Sequence, residues 1–366
     1  MKVRLTDICT PRQWKTIPTS ELLNEGYPVY GANGIIGYYN GYNHESPVVT
    51  ITCRGATCGT INITAPKSYV TGNAMCLDDL RPDVLLEYLY YSLLHYNFRN
   101  VISGSAQPQI TRQGLEKVNI ELHSLDEQRT IIDVLSKLER IILARKEELQ
   151  KLDNLVKARF VEMFGDPEFN TFGWDTEELG TLCDVGSSKR IYQNEQSQEG
   201  VPFWRISDLI SKMDIGVADS GLFIPEERYV ELKNAGLVPT TGDILVTSRG
   251  TLGRCYIIKD EDKFYFQDGM ISWLSSYVDG ITPLYLQYLF TMPGFRKQID
   301  GMQAGSTVAY LSIAMLKKLR VMVPPIETQN CFALFVEQLD KSKVVVQKAL
   351  DEAQMLFDSL MQEYFG

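Results

Sequence analysis

The stretches TCRGATCGT at 52–60 and TSRGTLGR at 247–254 each set an arginine, Arg54 or Arg249, before a glycine and among small polar residues. A guanidinium is a planar fork of donors that can clamp a phosphate or read guanine through two parallel hydrogen bonds. Glycine lets the backbone beside it turn sharply and approach a ligand closely. An arginine exposed at a strand end is the plainer reading, but the same turn in both halves of the chain favours function. GYPVYGANGIIGYYNGYN, at 26–43, mixes five glycines and five tyrosines with asparagines. Such a loop offers stacking surface and hydrogen bonds, and suits either recognition or a tyrosine-rich turn. SSKRIYQN, at 187–194, is a local basic and polar patch that can lie along a phosphate backbone.

Other chemistries lack their residues. The sequence holds no GxxxxGK[ST], no HExxH and no GxSxG. The glycine-rich FxGxG strand and the Asn/Asp-Pro-Pro-aromatic tetrad of an adenine methyltransferase are also missing. EDK, at 261–263, is too short to argue for a nuclease. No catalytic residue is nominated. The seven cysteines are scattered without a CxxC, and there are three histidines, so no metal site is expected and the thiols read as free in a reducing compartment. MKVRLTDICTPRQW has no apolar core, so no signal peptide is expected. With no apolar run near a membrane span, the expected location is the cytoplasm. The formal charge of −10 taken alone argues against a nucleic-acid partner.

The residues that can do chemistry must be positioned, and a repeat shows by what. Shifting the chain by 201 residues lays Gly104 and Ser105 on Gly305 and Ser306, and Leu115 and Lys117 on Leu316 and Lys318. Gln128 falls on Gln329, and Phe164–Gly165 on Phe365–Gly366, with no gap. The segments upstream correspond more loosely. Ser124 and Glu127 form a capping box. From there apolar residues recur in steps of four and three: Ile131, Leu135, Leu138, Ile142, then Leu149, Leu152 and Val156, interrupted at Arg145. The second copy runs Phe332, Val336, Leu339, then Val346, Leu350, Ala353 and Phe357, interrupted at Lys343. A stripe of this period is a coiled-coil seam. The expectation is two long helices packed antiparallel on each other, with Gly165 as a C-cap. Strands are expected at 46–53, 243–249 and 254–260, and helices at 83–96 and 282–291.

Two variable domains, each leading through GSAQPQIT (104–111) or GSTVAYLS (305–312) into a helix entered at SLDEQ (124–128) or PPIETQ (324–329), resemble the specificity subunit of type I restriction–modification systems. Thr328 stands where the first copy has Glu127, which weakens the second capping box. The resemblance implies an α+β protein with two α/β target-recognition domains separated by two long antiparallel coiled-coil helices, an internal pseudo-twofold duplication. The domains would be recognition at 1–123, spacer helix at 124–165, recognition at 166–323 and spacer helix at 324–366. Each recognition domain would read one half of a split double-stranded DNA site. The helices would set the gap and dock two methylation subunits, and restriction subunits would join. S-adenosylmethionine, ATP and Mg would belong to those partners, with no cofactor on this chain. On this reading the candidate DNA contacts are Lys15, Tyr30, Asn33, Tyr38, Tyr39, Arg54 and Gln107 in the first half. In the second they are Lys189, Arg190, Trp204, Arg205, Ser248, Arg249, Thr251, Arg254 and Tyr310.

Charge is distributed unevenly. Residues 1–105 hold eight Lys/Arg against eight Asp/Glu, net zero; 166–325 hold 15 against 21, net −6. The acid excess thus sits in the second half, and DNA binding needs only local basic faces. Three rivals stay open: a protein-only scaffold, an unrecognised nuclease, and a specificity subunit serving a fused methyltransferase–nuclease.

Overall fold

The computed structural model describes residues 1–32, 34–104, 107–302 and 309–366. Asn33, Ser105, Gly305 and Ser306, each singled out from the sequence, lie outside the described residues. The chain forms two compact units, 1–148 with 346–366, and 149–345.

The first unit is built on a four-stranded antiparallel sheet in the order Thr10–Gln13, Ala74–Asp78, Val49–Thr52, Ile61–Ile63. A smaller sheet places Tyr27–Gly31 between its hairpin partner Gly34–Tyr39 and the parallel strand Tyr69–Val70. The second unit repeats this plan. Its larger sheet runs Asp184–Gly186, Ile271–Ser275, Ile244–Thr247, Cys255–Ile257, and its smaller one places Val201–Trp204 between Phe223–Ile224 and the parallel Tyr265–Phe266. The strands are shorter than the β-branched runs suggest, because each run ends in the turn that carries its polar residues. The units differ most around the small sheet. Where the first has a tight hairpin, the second inserts the helices Ile206–Ile215 and Glu226–Asn234 around its edge strand Phe223–Ile224.

The two long helices run Leu125–Phe164 and Ile326–Phe365, 40 residues each. The capping box forms as expected: Ser124 N–H donates to Glu127 Oε2 at 2.8 Å, and Glu127 N–H to Ser124 Oγ at 3.4 Å. The second helix starts directly after Pro324–Pro325, and Thr328 N–H donates to Pro325 O at 3.0 Å. Gly165 ends the first helix at φ +81°, its N–H donating to Val161 O. The Trp174 indole N–H then covers the last carbonyl, that of Phe164, at 2.9 Å.

Within the second unit the helices lie antiparallel. Phe160 and Phe164 meet Phe332 with ring centroids 5.5 and 5.4 Å apart, while Lys343 reaches back to Asp153 at 2.7 Å. Lys343 interrupts the apolar series yet keeps the helices joined by an ion pair. Arg145 instead pairs with Glu148 on its own helix at 2.6 Å. Of the seam residues, Ile131, Leu135, Ile142, Phe332, Val336, Val346, Leu350 and Phe357 are buried, and Leu138, Leu149, Leu152 and Leu339 are half-buried. Each buried aliphatic or Phe side chain contributes about 1.5–3 kcal/mol.

The duplication reaches into the core. Gln128 and Gln329 are 0% and 1% exposed, and each ties its helix to the start of the short helix of its own unit. Gln128 accepts from Leu85 N–H and donates to Asp83 O and His123 O, all at 2.9 Å. Gln329 accepts from Thr282 N–H at 2.9 Å and donates to Gly280 O at 2.8 Å and Pro324 O at 2.9 Å. Two tyrosines on those short helices, Leu86–His95 and Pro283–Leu289, are likewise matched. The Tyr88 hydroxyl donates to Glu121 O at 2.7 Å, and the Tyr285 hydroxyl to Met322 O at 2.9 Å. Phe164 packs on Tyr285 in one unit and Phe365 on Tyr88 in the other. The doubled Phe-Gly ending therefore closes the same pocket twice.

Candidate nucleic-acid interface

In the first unit, hydrogen bonds gather four loops around the Arg-Gly turn. The Thr52 hydroxyl donates to Ala32 O at 2.5 Å, pinning the tyrosine-rich hairpin to the strand that leads to Arg54. Cys53 N–H donates to Asn73 O at 3.0 Å, and Gln13 Nε2 to Gly72 O at 2.9 Å. Gly55 N–H donates to Pro108 O at 3.1 Å. Gly55 stands at φ +92° with open space where a Cβ would be, so the turn needs glycine for its backbone and not for packing.

The second unit assembles the matching loops. Ser187 Oγ donates to Ile271 O at 2.9 Å and Ser188 Oγ to Phe266 O at 2.7 Å. Ser248 N–H donates to Met270 O at 2.9 Å, and Leu311 N–H to Ser248 O at 3.0 Å. Gly250 stands at φ +68°, again in open space. The side chains of Arg54, Arg249 and Thr251 are exposed, and the Arg249 guanidinium carbon lies 5.2 Å from the centre of the Tyr310 ring.

The remaining nominated residues divide. Lys15, Gln107, Lys189, Arg190 and Arg205 are exposed, and Tyr38 and Tyr39 are half-buried on the hairpin. Three nominated residues belong to the core. Tyr30 is 9% exposed and its hydroxyl accepts from Ala65 N–H. Trp204 is 6% exposed and stacks on Phe264 with centroids 3.6 Å apart. Ser248 is 2% exposed and bonds the Ser272 hydroxyl at 2.7 Å. Three of the arginines have acidic partners. Arg254 pairs with Asp214 at 2.5 Å, and that bond holds the Asp214 carboxyl below the usual carboxylate range. Arg190 pairs with Asp268 at 2.8 Å and Arg205 with Asp208 at 3.5 Å. Sequence reasoning missed Gln13, Asn73, Gln109 and Met270. The repeat register held a clue to one of them, since Gln109 is 201 residues before Tyr310.

Beside the second turn opens a cleft of about 640 Å³ with Lys212, Arg254, Lys259 and Arg296 on its walls. Two of these cations are paired with acids, Arg254 with Asp214 and Lys212 with Asp262 at 3.3 Å. Asp262, from the EDK stretch, accepts from the Tyr256 hydroxyl at 2.7 Å and Lys259 N–H at 2.9 Å, so it braces a turn.

Among the described residues, His44, Cys76 and Asp78 bring donor atoms within 4.8 Å of one another. His44 and Asp78 are already engaged. The His44 nitrogens face Asn43 Oδ1 at 2.7 Å and Asp78 Oδ1 at 3.0 Å. Asp78 Oδ2 accepts from the Trp14 indole at 3.2 Å and sits 3.4 Å from Arg12. Burial first, and Asp78 second, push the Cys76 thiol up, away from the thiolate a metal needs. The cluster is a hydrogen-bonded polar core.

The family described as Type I restriction modification DNA specificity domain matches residues 1–154 and again 172–353. A putative type I restriction enzyme specificity subunit of Haemophilus influenzae is 25% identical over 357 residues, covering 96% of this chain and 89% of the relative. A type I restriction enzyme specificity subunit of Methanocaldococcus jannaschii is 24% identical over 296 residues, covering 75% of this chain and 68% of the relative. Among solved structures, the S subunit of a type I restriction–modification system from M. genitalium matches the fold with a TM-score of 0.62 at 18% identity. That match covers 100% of this chain and 96% of the other.

Proposed function

Because the chain belongs to the type I restriction–modification DNA specificity family, we propose that it reads a split double-stranded DNA site, one half with each unit's loop cluster. The observation that carries this reading is the duplication itself: one Arg-Gly turn, braced by equivalent backbone bonds, occurs in each unit. The recognition domains are 1–123 and 166–323, and the spacer helices 124–165 and 324–366 set the gap between the half-sites. Reading sequence this way needs no catalytic group on this chain. The methyl donor, nucleotide and Mg²⁺ belong to methylation and restriction subunits, with which the chain works in the cytoplasm. No helix among the described residues is long and apolar enough to cross a membrane.

Apolar residues left outside the seam support docking of two methylation subunits. Leu143 is 56% exposed and Val344, its counterpart at the repeat offset, is 68% exposed; Leu155 and Leu356, also counterparts, are 47% and 50% exposed. Each unit thus carries one residue of each matched pair, and it is this recurrence at the repeat offset that supports a partner surface in each unit.

The test is to assemble the chain with a methylation subunit and map methylated adenines on a random DNA library. A bipartite motif is expected, with Arg54→Ala degrading one half and Arg249→Ala the other by about 1–3 kcal/mol. Methylation without sequence preference, or both substitutions degrading the same half, would refute the assignment. The isolated chain should bind DNA weakly, with affinity falling steeply as salt rises.

A further inference from the structure

The two Arg-Gly turns share a backbone but not a partner. Arg54 forms an isolated antiparallel bridge with Gln109, and Arg249 forms one with Tyr310. The paired positions are fixed by neighbouring bonds. Ile110 N–H donates to Cys53 O and Leu311 N–H to Ser248 O, both at 3.0 Å. Behind each turn a buried threonine anchors the strand: Thr52 Oγ1 donates to Ala32 O and Thr247 Oγ1 to Thr251 O, both at 2.5 Å. Gly59 N–H and Gly253 N–H close the turns onto Thr52 O and Thr247 O at 2.8 Å. The arginines are 195 residues apart and their bridge partners 201 apart, so the fold has kept the pairing across an insertion or deletion.

Directly opposed residues of an antiparallel pair project to the same face. The residue opposite the arginine is therefore placed to govern its guanidinium. In the second unit that residue is Tyr310, whose ring lies 5.2 Å from the guanidinium carbon of Arg249. A stacked guanidinium is confined to a plane, while its N–H edge stays open for a bidentate contact. In the first unit the residue is Gln109, which offers no ring but carries an amide that can itself read adenine.

We propose that the residue opposite the Arg-Gly turn, Tyr310 in one unit and Gln109 in the other, is a positioning residue that sets how strictly the turn's arginine discriminates bases. This rests on the reading of the turns as base readers. Tyr310 aligns Arg249 before DNA arrives, so that a wrong base cannot be met by a shifted guanidinium. Gln109, with no ring to stack on, leaves Arg54 less constrained.

The experiment uses the full chain assembled with methylation subunits, and compares base preference position by position for wild type, Tyr310→Phe, Tyr310→Ala, Arg249→Ala and Gln109→Tyr. Tyr310→Phe should keep the wild-type profile, because the ring suffices. Tyr310→Ala should lose about fivefold or more of the discrimination at one base pair of the half-site read by the second unit. The other half-site and the salt dependence should not change. Gln109→Tyr should sharpen preference for one base in the first half-site. Tyr310→Ala that discriminates like wild type while Arg249→Ala does not would overturn the inference alone. So would a Tyr310→Ala loss equal on all sequences, since that marks packing or phosphate contact. Arg249→Ala with wild-type discrimination would overturn the base-reading of the turn and this inference with it.

Discussion

The buried amides of Gln128 and Gln329 each hold three backbone groups of their own unit. Removing the amide strands those groups, at about 1–3 kcal/mol for each that stays unpaired. Gln128→Ala should therefore lower the melting temperature of the first unit and Gln329→Ala that of the second, as read by hydrogen exchange resolved by segment; equal loss in both units would contradict the separation. The repeat register exposed this pair in the sequence, but not its job, because the partners Asp83, Leu85, Gly280 and Thr282 are distant in the chain. Burial misled in the opposite direction. Tyr30 and Trp204 sit in polar, turn-rich stretches that read as surface, yet their strands are the central members of the small sheets, where aromatic rings become core.

Among the elements, the long helices were the most legible, since a 3.5-residue stripe persists whatever it packs against and the cap residues act locally. The short strands were visible only in outline. A β-branched run marks a strand but not which flanking residues leave the sheet, and Arg54 and Arg249 lie just beyond those ends. The replacement of the hairpin by the helix Ile206–Ile215 was not legible, because its apolar residues pack against strands that the sequence leaves unordered. The helices also carry the docking prediction. Leu143→Asp with Leu356→Asp should abolish binding of one methylation subunit, and Leu155→Asp with Val344→Asp the other. Mass measurement of the assembled complex would show the loss of one copy in each case. Loss of both copies from either pair would mean a single shared surface.

For the whole molecule, each long helix is one uninterrupted run of 40 residues, about 60 Å long. It begins in one compact unit and ends in the other. If the helices are the ruler, one extra heptad in each keeps the apolar register and adds about 10 Å. At about 3.4 Å per base pair the gap in the methylated motif should widen by about three base pairs. An unchanged gap in the mapped motif would remove the helices from that role.

The division of the chain has a consequence for its synthesis. The second unit has all its residues once position 345 is made, while the first still lacks 346–366. Phe357, Met361 and Phe365, which help fill that unit, are all made after the second unit's residues. The unit whose synthesis starts first is completed after the other, and loss of residues 346–366 is damage to the unit that holds Arg54.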